Sequence, residues 1–353
     1  MEKKFDFLAF GEALVRFSPY GHTRFEQADA MRLSTAGAEL NSAVNLSRLG
    51  LRTKWVSKGC DTWGARYIRN KGREHNVNMD DYIFVPYDGC GRRERNGVAF
   101  VEVGVGSRGN TQLFDRGNTA FSKATFDEFE WNRLLNETRW YGTSGVTTAI
   151  SPQAAEAVEK SFKLAKEMGV STSFDFNFRA TMWSSEQMQE CMKKIMPYVD
   201  FVIGSEDDFV KRLGVKVENS SESSSSLDRV ASYEKIARKV CELYPNIKYV
   251  GSTFRDVKSG LLNDWQVLML CEDKFYISRR YDNVEIVDRT GAGDSVAAAL
   301  IYSTMTGEFK GQEVVEFAAA YSALGHGFFG PWNWATKEEA TRVMKGGDAR
   351  VIR

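Results

Sequence analysis

The chain has 353 residues, enough for one large α/β domain or two smaller ones, and its 42% hydrophobic content is that of an ordinary globular protein. Its 47 Lys and Arg residues balance its 47 Asp and Glu residues, so no global charge favours a nucleic-acid or membrane partner. Five widely spaced cysteines without a C-x-x-C pair argue against a disulfide framework or a zinc ribbon. With an N-terminus that resembles a strand rather than a signal peptide, we expect a cytoplasmic protein.

Short apolar runs with strand character alternate along the chain with segments of helical periodicity. Strands are predicted at 5–11, 54–59, 170–176, 200–204 and 247–253, and helices at 39–50, 151–169, 293–307, 311–325 and 336–346. This alternation predicts an α/β fold with a mostly parallel central sheet and helices on both faces.

Two stretches interrupt the alternation. Residues 79–118 offer several short β runs and no helix, which predicts a small separate sheet inserted into the α/β body. The serine-rich stretch 219–226 has low complexity and is predicted to be a flexible surface loop.

The segment "VEIVDRTGAGDSVAAAL" at 284–300 predicts a strand, a glycine turn and a helix. The small residues Gly291, Ala292 and Gly293 would let an anion approach the unpaired amides of the first helical turn, where Asp294 also lies. A plain tight turn, with an acidic residue that complements the helix dipole, is the alternative. A dinucleotide-binding fingerprint fits poorly because Val296 occupies the place of its third glycine, and no Walker A lysine pattern occurs.

Three other segments carry polar residues in positions suited to a ligand. In "TAGAELNSAVNLSRLG" the side chains of Asn41 and Asn45 share a helix face. In "SFDFNFR" the polar residues alternate with phenylalanines near the end of a predicted strand, where open α/β sheets bind ligands. In "QLFDRG" Phe114 and Arg116 share a strand face. Local capping bonds, an internal ion pair and a solvated arginine are the respective alternatives.

Together these segments resemble the ribokinase-like (PfkB) carbohydrate kinase family. The N-terminal signature is similar to "AGAELNSAVNLSRLG" and the C-terminal one to "DRTGAGDSVAAAL". Within the family, "LFDRGNTAFS", "FDFNFRATMWS" and the tail from "ALGHGFFGPWNW" resemble the 2-keto-3-deoxygluconate kinases. The resemblance implies a three-layer α/β/α sandwich over residues 1–353, with a β-sheet lid formed mainly by about 12–30 and 79–118.

The resemblance also implies ATP-dependent phosphorylation of a sugar-acid hydroxyl, with ATP and Mg²⁺, in a homodimer joined through the lid. Asp294 matches the general base, and the amides of 291–294 match the anion hole. The matched substrate contacts are Gly37, Ala38, Asn41, Phe114, Arg116, Asp175, Asn177 and Arg179. The matched nucleotide contacts are Ser205, Thr253, Arg255, Gly291 and Gly293, and Asp208 matches a magnesium ligand.

The arginines favour an acidic sugar independently of the resemblance. A carboxylate in a partly closed site needs a forked cation, which Arg116 and Arg179 offer, with Arg16 as a weaker third. Three positions depart from the subgroup pattern, namely Phe114, Ser205 and Pro331, the last of which replaces an expected aspartate. A kinase for a neutral sugar such as fructose or ribose, a non-catalytic sugar or nucleotide sensor, and a dinucleotide oxidoreductase stay as alternatives.

Overall fold

The structure is a computed structural model that describes residues 3–216 and 226–347. The serine-rich stretch therefore lies, except for Ser226, outside the described residues. The strands are β1 Phe5–Phe10, β2 Leu14–Pro19, β3 Met31–Ala36, β4 Thr53–Cys60, β5 Tyr82–Val85, β6 Val98–Glu102, β7 Thr111–Asp115, β8 Thr138–Ser144, β9 Ser171–Asp175, β10 Phe201–Ile203, β11 Tyr249–Ser259, β12 Leu262–Cys271, β13 Lys274–Ile277 and β14 Tyr281–Glu285. The helices are α1 Ala38–Arg48, α2 Trp63–Glu74, α3 Trp131–Asn136, α4 Gly145–Ile150, α5 Pro152–Glu167, α6 Ser185–Ile195, α7 Ser226–Leu243, α8 Ala292–Thr306, α9 Gln312–Gly325 and α10 Lys337–Met344.

The large sheet has ten strands in the order β13-β12-β11-β10-β9-β8-β1-β4-β5, with β14 also paired to β12. Strands from β11 to β5 along this order pair in parallel, and β12 pairs antiparallel with β11, β13 and β14. Such a mixed sheet, parallel in its centre, matches the sequence prediction.

Helices cover both faces of this sheet, because its central strands are apolar on both sides. In β1, Phe7 and Ala9 enter one core with residues of α1, α2, α8, α9 and α10. Leu8 and Phe10 enter a second core with residues of α3, α5, α6 and α7. Successive side chains of a strand point to opposite faces, so an uninterrupted apolar strand demands two covering layers. The predicted three-layer sandwich is confirmed.

A separate four-stranded sheet, in the order β3-β2-β6-β7, lies beside the sandwich. Its composition differs from the sequence prediction in two respects. The strand at Met31–Ala36 lies beyond the predicted range of about 12–30, and it pairs with β2. The strand at Tyr82–Val85 lies inside the predicted range 79–118, yet it pairs in parallel with β4 at the edge of the large sheet. Short β runs carry no sign of their partners, which explains both differences.

The fold brings the predicted ligand-binding segments to one edge of the large sheet. The carboxyl ends of the parallel strands β1, β8, β9 and β10 meet there, and the N-termini of α1 and α8 begin beside them. This is the edge at which open α/β sheets bind ligands. Within the described ranges, no helix is both long and apolar enough to cross a membrane.

Candidate active site

A cavity of about 300 Å³ lies at this edge, between the large and the small sheet. Its volume falls at the lower end of the range for ligand sites, roughly 300–1,000 Å³. It is lined by Leu14, Ala36, Gly37, Ala38, Asn41, Val101, Gln112, Phe114, Arg116, Val146, Asn177, Arg179, Arg255, Arg289, Thr290, Gly291, Gly293 and Asp294. Most of the residues predicted for the sugar and phosphate site are thus brought together. Ala292, Asp175, Ser205, Asp208 and Thr253 do not line it.

The glycine turn before α8 opens directly onto the cavity. Gly291 is left-handed, with φ +81°, and a Cβ there would come within 1.9 Å of the Pro331 carbonyl oxygen, so only glycine fits. A Cβ on Gly293 would meet nothing within 4 Å. The amides of Gly293 and Asp294 have no partner among the described residues, because the first bond into the helix starts at Ser295. Unpaired amides at the positive end of a 15-residue helix favour an anion.

Asp294 lies in the first turn of α8 with only 7% of its surface exposed. Asn41 Nδ2 donates to its Oδ2 at 2.7 Å, and Asn177 Nδ2 approaches its Oδ1 at 3.5 Å. Burial raises the pKa of Asp294 above its ordinary value, while the Asn41 amide, the Arg179 charge and the Asn177 amide act in the opposite direction. A carboxylate held by neutral donors in a nearly closed pocket is suited to accept a proton.

Asp175 lies behind Asn177 rather than on the cavity wall. The backbone amide of Asn177 donates to Asp175 Oδ1 at 3.1 Å, and its side-chain Nδ2 lies 3.4 Å from Oδ2. Asn177 takes a left-handed φ of 39°, a conformation that asparagine tolerates better than most residues. Burial, and after it the nearby carboxylates of Asp294 and Asp208, raise the pKa of Asp175 to about 8. The Asn177 amide therefore stands between two carboxyl groups.

Arg116 reaches the cavity already oriented by a carboxylate. Its Nε and Nη2 donate to Glu12 Oε2 at 2.9 and 2.7 Å, and both side chains are largely buried, with 13% and 4% exposed. Its Nη1 lies 3.8 Å from the sulfur of Met182 and has no oxygen partner among the described residues. One edge of the guanidinium is thus fixed, and the other is available to a ligand.

Three further arginines line the same cavity. Arg179 donates to the carbonyls of Asn177 and Phe178, at 3.1 and 2.9 Å. Arg289 donates to the carbonyl of Gly260 at 2.7 Å, while its Nε is buried without a partner. Burial, and then the charge of Arg255, lower the pKa of Arg289. Two neighbouring guanidinium groups of like charge, close to an anion-binding turn, indicate that a negatively charged ligand belongs there.

Comparison with known proteins shows the family to which this site belongs. The model of the pfkB family carbohydrate kinases matches residues 4–239, and both the matched segment and the glycine turn contribute to the cavity. The chain belongs to the pfkB family of carbohydrate kinases. It is accordingly an ATP-dependent carbohydrate kinase.

Individual relatives are similar over almost the whole length of the kinase. The crystal structure of a 2-dehydro-3-deoxygluconokinase from Thermotoga maritima is 35% identical, has a TM-score of 0.89 and covers 97% of this chain and 100% of that one. A 2-dehydro-3-deoxygalactonokinase of Haloferax volcanii is 27% identical over 348 residues, which is 99% of each chain. A fructokinase from Xylella fastidiosa, solved with bound ATP, is 18% identical with a TM-score of 0.75 over 97% and 99% of the chains, and shares the fold.

Three of the predicted nucleotide and metal residues of the kinase lie further along the sheet edge. Ser205 follows β10 and Thr253 lies in the adjacent β11. Asp208 Oδ2 accepts hydrogen bonds from the amide and the hydroxyl of Ser205, at 2.8 and 2.7 Å. No cluster of three or more His, Cys, Asp or Glu residues that could hold a metal occurs in the described part of the chain.

Arg16, the weaker third candidate for the acid group, is not in the cavity. It is fully buried and forms an ion pair of 2.6 Å with Asp288, at the start of the glycine turn. Asp288 also accepts the amides of Thr290 and Gly330, at 3.0 and 3.1 Å. Arg16 therefore joins β2 of the small sheet to the anion-binding turn, a role that its local sequence does not indicate.

Two cavity features escaped the sequence analysis although signals for them existed. Arg289 lies inside the quoted "DRTGAGD" segment, where a cation beside an anion-binding turn is a meaningful signal. Glu12 lies two residues beyond the end of the buried strand β1, at the edge where ligands bind, yet its partner Arg116 is 104 residues away. Sequence distance concealed this pair, because only the small sheet brings β7 over the end of β1.

Proposed function

We propose that this kinase transfers the γ-phosphoryl group of ATP to a hydroxyl of a six-carbon keto-deoxy sugar acid, with 2-keto-3-deoxygluconate 6-phosphate as the product. The observation that carries the proposal is the gathering of four arginines around one buried carboxyl, Asp294, in a cavity of about 300 Å³. A neutral sugar needs hydroxyl partners and not guanidinium groups. The relatives named for 2-dehydro-3-deoxy sugar acids support the same substrate class.

The arginines divide into two groups with different surroundings. Arg116 and Arg179, which follow β7 and β9 respectively, are proposed to hold the sugar carboxylate, because Arg116 presents a free guanidinium edge. Arg255 and Arg289 are proposed to hold the phosphates, because Arg289 is adjacent to the glycine turn at 291–293. A forked, always-charged group suits both ligands.

Asp294 is proposed to accept the proton of the substrate hydroxyl while its oxygen attacks the γ-phosphorus. A positioned base of this kind contributes typically ~10²–10⁴-fold to the rate. The amides of 291–294, of which those of Gly293 and Asp294 have no partner among the described residues, would meet the charge that develops on the transferred group, which they can do without reorganising. Asn41 and Asn177 hold the carboxylate in place with neutral donors, so the base keeps its direction as the proton arrives.

Magnesium fits this site as an ion brought by the nucleotide. Asp208 supplies a single carboxylate, already bonded to Ser205, and Mg²⁺ characteristically combines one or two carboxylates with phosphates and waters. When bound, Mg²⁺ neutralises phosphate charge. We propose that Asp208 holds it, with Ser205 and Thr253 on the nucleotide side.

The small sheet is proposed to close over the sugar and to pair with a second copy of the chain. Its inner face supplies Leu14 and Phe114 to the cavity, so closure would exclude water from the reacting groups. Its outer face carries an apolar row across the four strands, formed by Leu33, Phe17, Phe100 and Leu113 in register. Leu33 and Leu113 are 44% and 56% exposed, which supports burial against a partner. Light scattering of the purified protein would measure that dimer.

A cytoplasmic location is proposed on two grounds. ATP is its phosphoryl donor, and all five cysteines, Cys60, Cys90, Cys191, Cys241 and Cys271, are free thiols. Free thiols in a chain with five cysteines are characteristic of reducing compartments.

A phosphorylation panel tests the function. Keto-deoxygluconate, keto-deoxygalactonate, fructose, ribose and adenosine would each be offered with ATP·Mg, and ADP release would be measured in a coupled assay. We expect the two acids to exceed the neutral substrates in kcat/KM by at least ~10-fold, because losing one charge-assisted contact costs ~1.5–3 kcal/mol, which is ~10–100-fold. Comparable turnover of fructose or ribose would contradict the sugar-acid proposal.

Asp294→Asn is the companion variant in that panel. It should bind both ligands, seen as shifts of the melting temperature, and lose most turnover. If the variant phosphorylates the sugar acid at the wild-type rate, Asp294 is not the base. If the wild-type protein binds the ligands without turning over any substrate, the chain is a sensor.

A further inference from the structure

The carboxyl group of Asp294 is the end point of a chain of two buried hydrogen bonds. Trp332 Nε1 donates to Asn41 Oδ1 at 3.1 Å, and Asn41 Nδ2 donates to Asp294 Oδ2 at 2.7 Å. All three residues are buried, with 7%, 3% and 7% exposed. They come from three distant segments, so only the tertiary fold connects them.

The indole decides which way the Asn41 amide faces. An indole nitrogen can only donate a hydrogen bond, whereas an amide can donate on one side and accept on the other. With Trp332 on one side, the oxygen of Asn41 must face the indole, and its NH₂ group must therefore face Asp294. The reversed amide would set an oxygen against the carboxylate and an NH₂ group against the indole N–H, which are two repulsive contacts.

The indole itself is held by the surrounding tail segment. The amide of Asn333 donates to Asn45 Oδ1 at 3.0 Å, and the side chain of Asn333 donates to the Tyr321 carbonyl at 2.6 Å. The ring of His75 packs edge-on against Trp332, with 4.7 Å between ring centroids. The indole N–H is thus fixed relative to α1, on which Asn41 lies.

We propose that Trp332 is a positioning residue that keeps the Asn41 amide directed at the Asp294 carboxylate. The inference rests on the proposed role of Asp294 as the base. Trp332 does not line the cavity and acts only through Asn41. The proposal gives a role to the tail segment that carries Trp332, which the sequence connects to the kinases only by resemblance.

The consequence is a dependence of turnover on pH. The Asn41 amide stabilises the ionised form of Asp294. The charged groups that face Asp294 from other elements are Arg179 and Asp175, and Arg116, Arg255 and Arg289 share its cavity. None of these is changed when the indole N–H is removed, so the Asn41 contact is the variable that Trp332 controls.

The test is Trp332→Phe, with kcat measured against pH. The variant keeps an aromatic ring and removes the N–H, so the Asn41 amide should stabilise the ionised Asp294 less well. We therefore expect the acid limb of the pH profile, where kcat falls as Asp294 is protonated, to move up by about half to one pH unit. At pH values on the acid side of this limb, kcat of the variant should be ~3–10-fold lower than that of the wild-type protein, because a shift of one pKa unit changes the ionised fraction tenfold. The KM for ATP should stay within about twofold, because the substitution leaves the proposed phosphate contacts of Arg255, Arg289 and the glycine turn unchanged.

Trp334→Phe is the matched control. Trp334 also packs on His75, and its ring faces the Arg48 guanidinium, but it is 49% exposed, and the side-chain hydrogen bonds of Asn41 in the described part of the chain go to Asp294 and Trp332. Its acid limb should match that of the wild-type protein. A shift in both variants would indicate a general effect of the tail and would overturn the proposal.

An Asn41→Ala background separates positioning from packing. If Trp332 acts through Asn41, adding Trp332→Phe to Asn41→Ala moves the limb no further, which is the non-additivity expected of coupled residues. A full additional shift in that background, or an unchanged limb in folded Trp332→Phe, would refute the inference. Trp332→Gln keeps a side-chain N–H donor, adds no titratable group, and covers the case that the phenylalanine variant does not fold. Its limb should stay near the wild-type position, and a shift as large as one unit would count against the proposal.

The role of Trp332 and the role of Asp294 as the base are tested separately. If Asp294→Asn keeps full turnover, the base assignment is wrong and the pH limb belongs to another group. If Asp294→Asn is inactive while Trp332→Phe keeps the wild-type limb, only the role of Trp332 is wrong.

Discussion

Replacing Arg116 by methionine should weaken the protein in two separable ways. The change removes the charge and leaves the carboxylate of Glu12, 4% exposed, without its partner. Breaking one side of a buried ion pair costs about 3–5 kcal/mol of stability. Losing one charge-assisted contact to the sugar carboxylate should cost ~1.5–3 kcal/mol, which is ~10–100-fold in the KM for the acid.

A second change distinguishes the two effects. In the double variant Glu12→Gln with Arg116→Met, no unpaired carboxylate is left, so most of the lost stability should return while the KM for the acid stays high. Chemical denaturation measures the first quantity and steady-state kinetics the second. Arg95→Met is the matched control, because Arg95 pairs with the half-exposed Asp115 on the same small sheet and should contribute under about 1 kcal/mol.

Two results would refute this reasoning. If Arg116→Met unfolds at the same denaturant concentration as the wild-type protein, the ion pair with Arg116 does not stabilise the buried carboxylate of Glu12. If the single and the double variant both keep the wild-type KM for the acid, Arg116 does not contact the sugar carboxylate.

Two further predictions concern the other cavity arginines and the buried acid. Arg289→Ala should raise the KM for ATP ~10-fold or more with little change for the sugar acid, and Arg179→Ala should do the reverse; equal effects on both KM values would contradict the division. The pKa of Asp175 is raised from 3.8 to about 8, so the folded protein holds a proton on this carboxyl that the unfolded chain releases above pH 3.8. The free energy of unfolding should therefore be unaffected by Asp175 at low pH and should fall as the pH rises towards 8, by at most ~1.4 kcal/mol per pH unit. Asp175→Asn should therefore gain stability over the wild-type protein in thermal unfolding between pH 4 and pH 8, and parallel curves for the two proteins would show that Asp175 is ionised when folded.

The element order was within reach of the sequence because it depends on local periodicity. Predicted strands at 5–11 and 54–59 and predicted helices at 39–50 and 151–169 agree with the structure to within a few residues. The strand predicted at 247–253 ends earlier than the strand in the structure, because β11 extends to Ser259 by pairing with β12. A strand is lengthened by its partner, and the partner is not visible in the segment itself.

The cavity could be anticipated only in part. The glycine turn at 291–293 carries its own evidence, because small residues before a helix produce an anion-binding end whatever surrounds them. Asp175 was expected on the substrate side by strand alternation, yet the chain turns at Asn177 and leaves Asp175 behind it. Side chains alternate between the two faces only while the chain stays extended, so the alternation cannot be used beyond Asn177, the first left-handed residue.

By itself, the sequence determined the fold class, since alternating strands and helices arise from neighbouring residues, and its signature segments carried the resemblance to the pfkB kinases. Only the tertiary structure decided how the site is assembled. The pairs Arg116 with Glu12, Arg16 with Asp288 and Trp332 with Asn41 join residues 104, 272 and 291 positions apart. The physical reason is that each of these contacts is a buried polar interaction whose geometry depends on how whole elements pack, which no local pattern encodes.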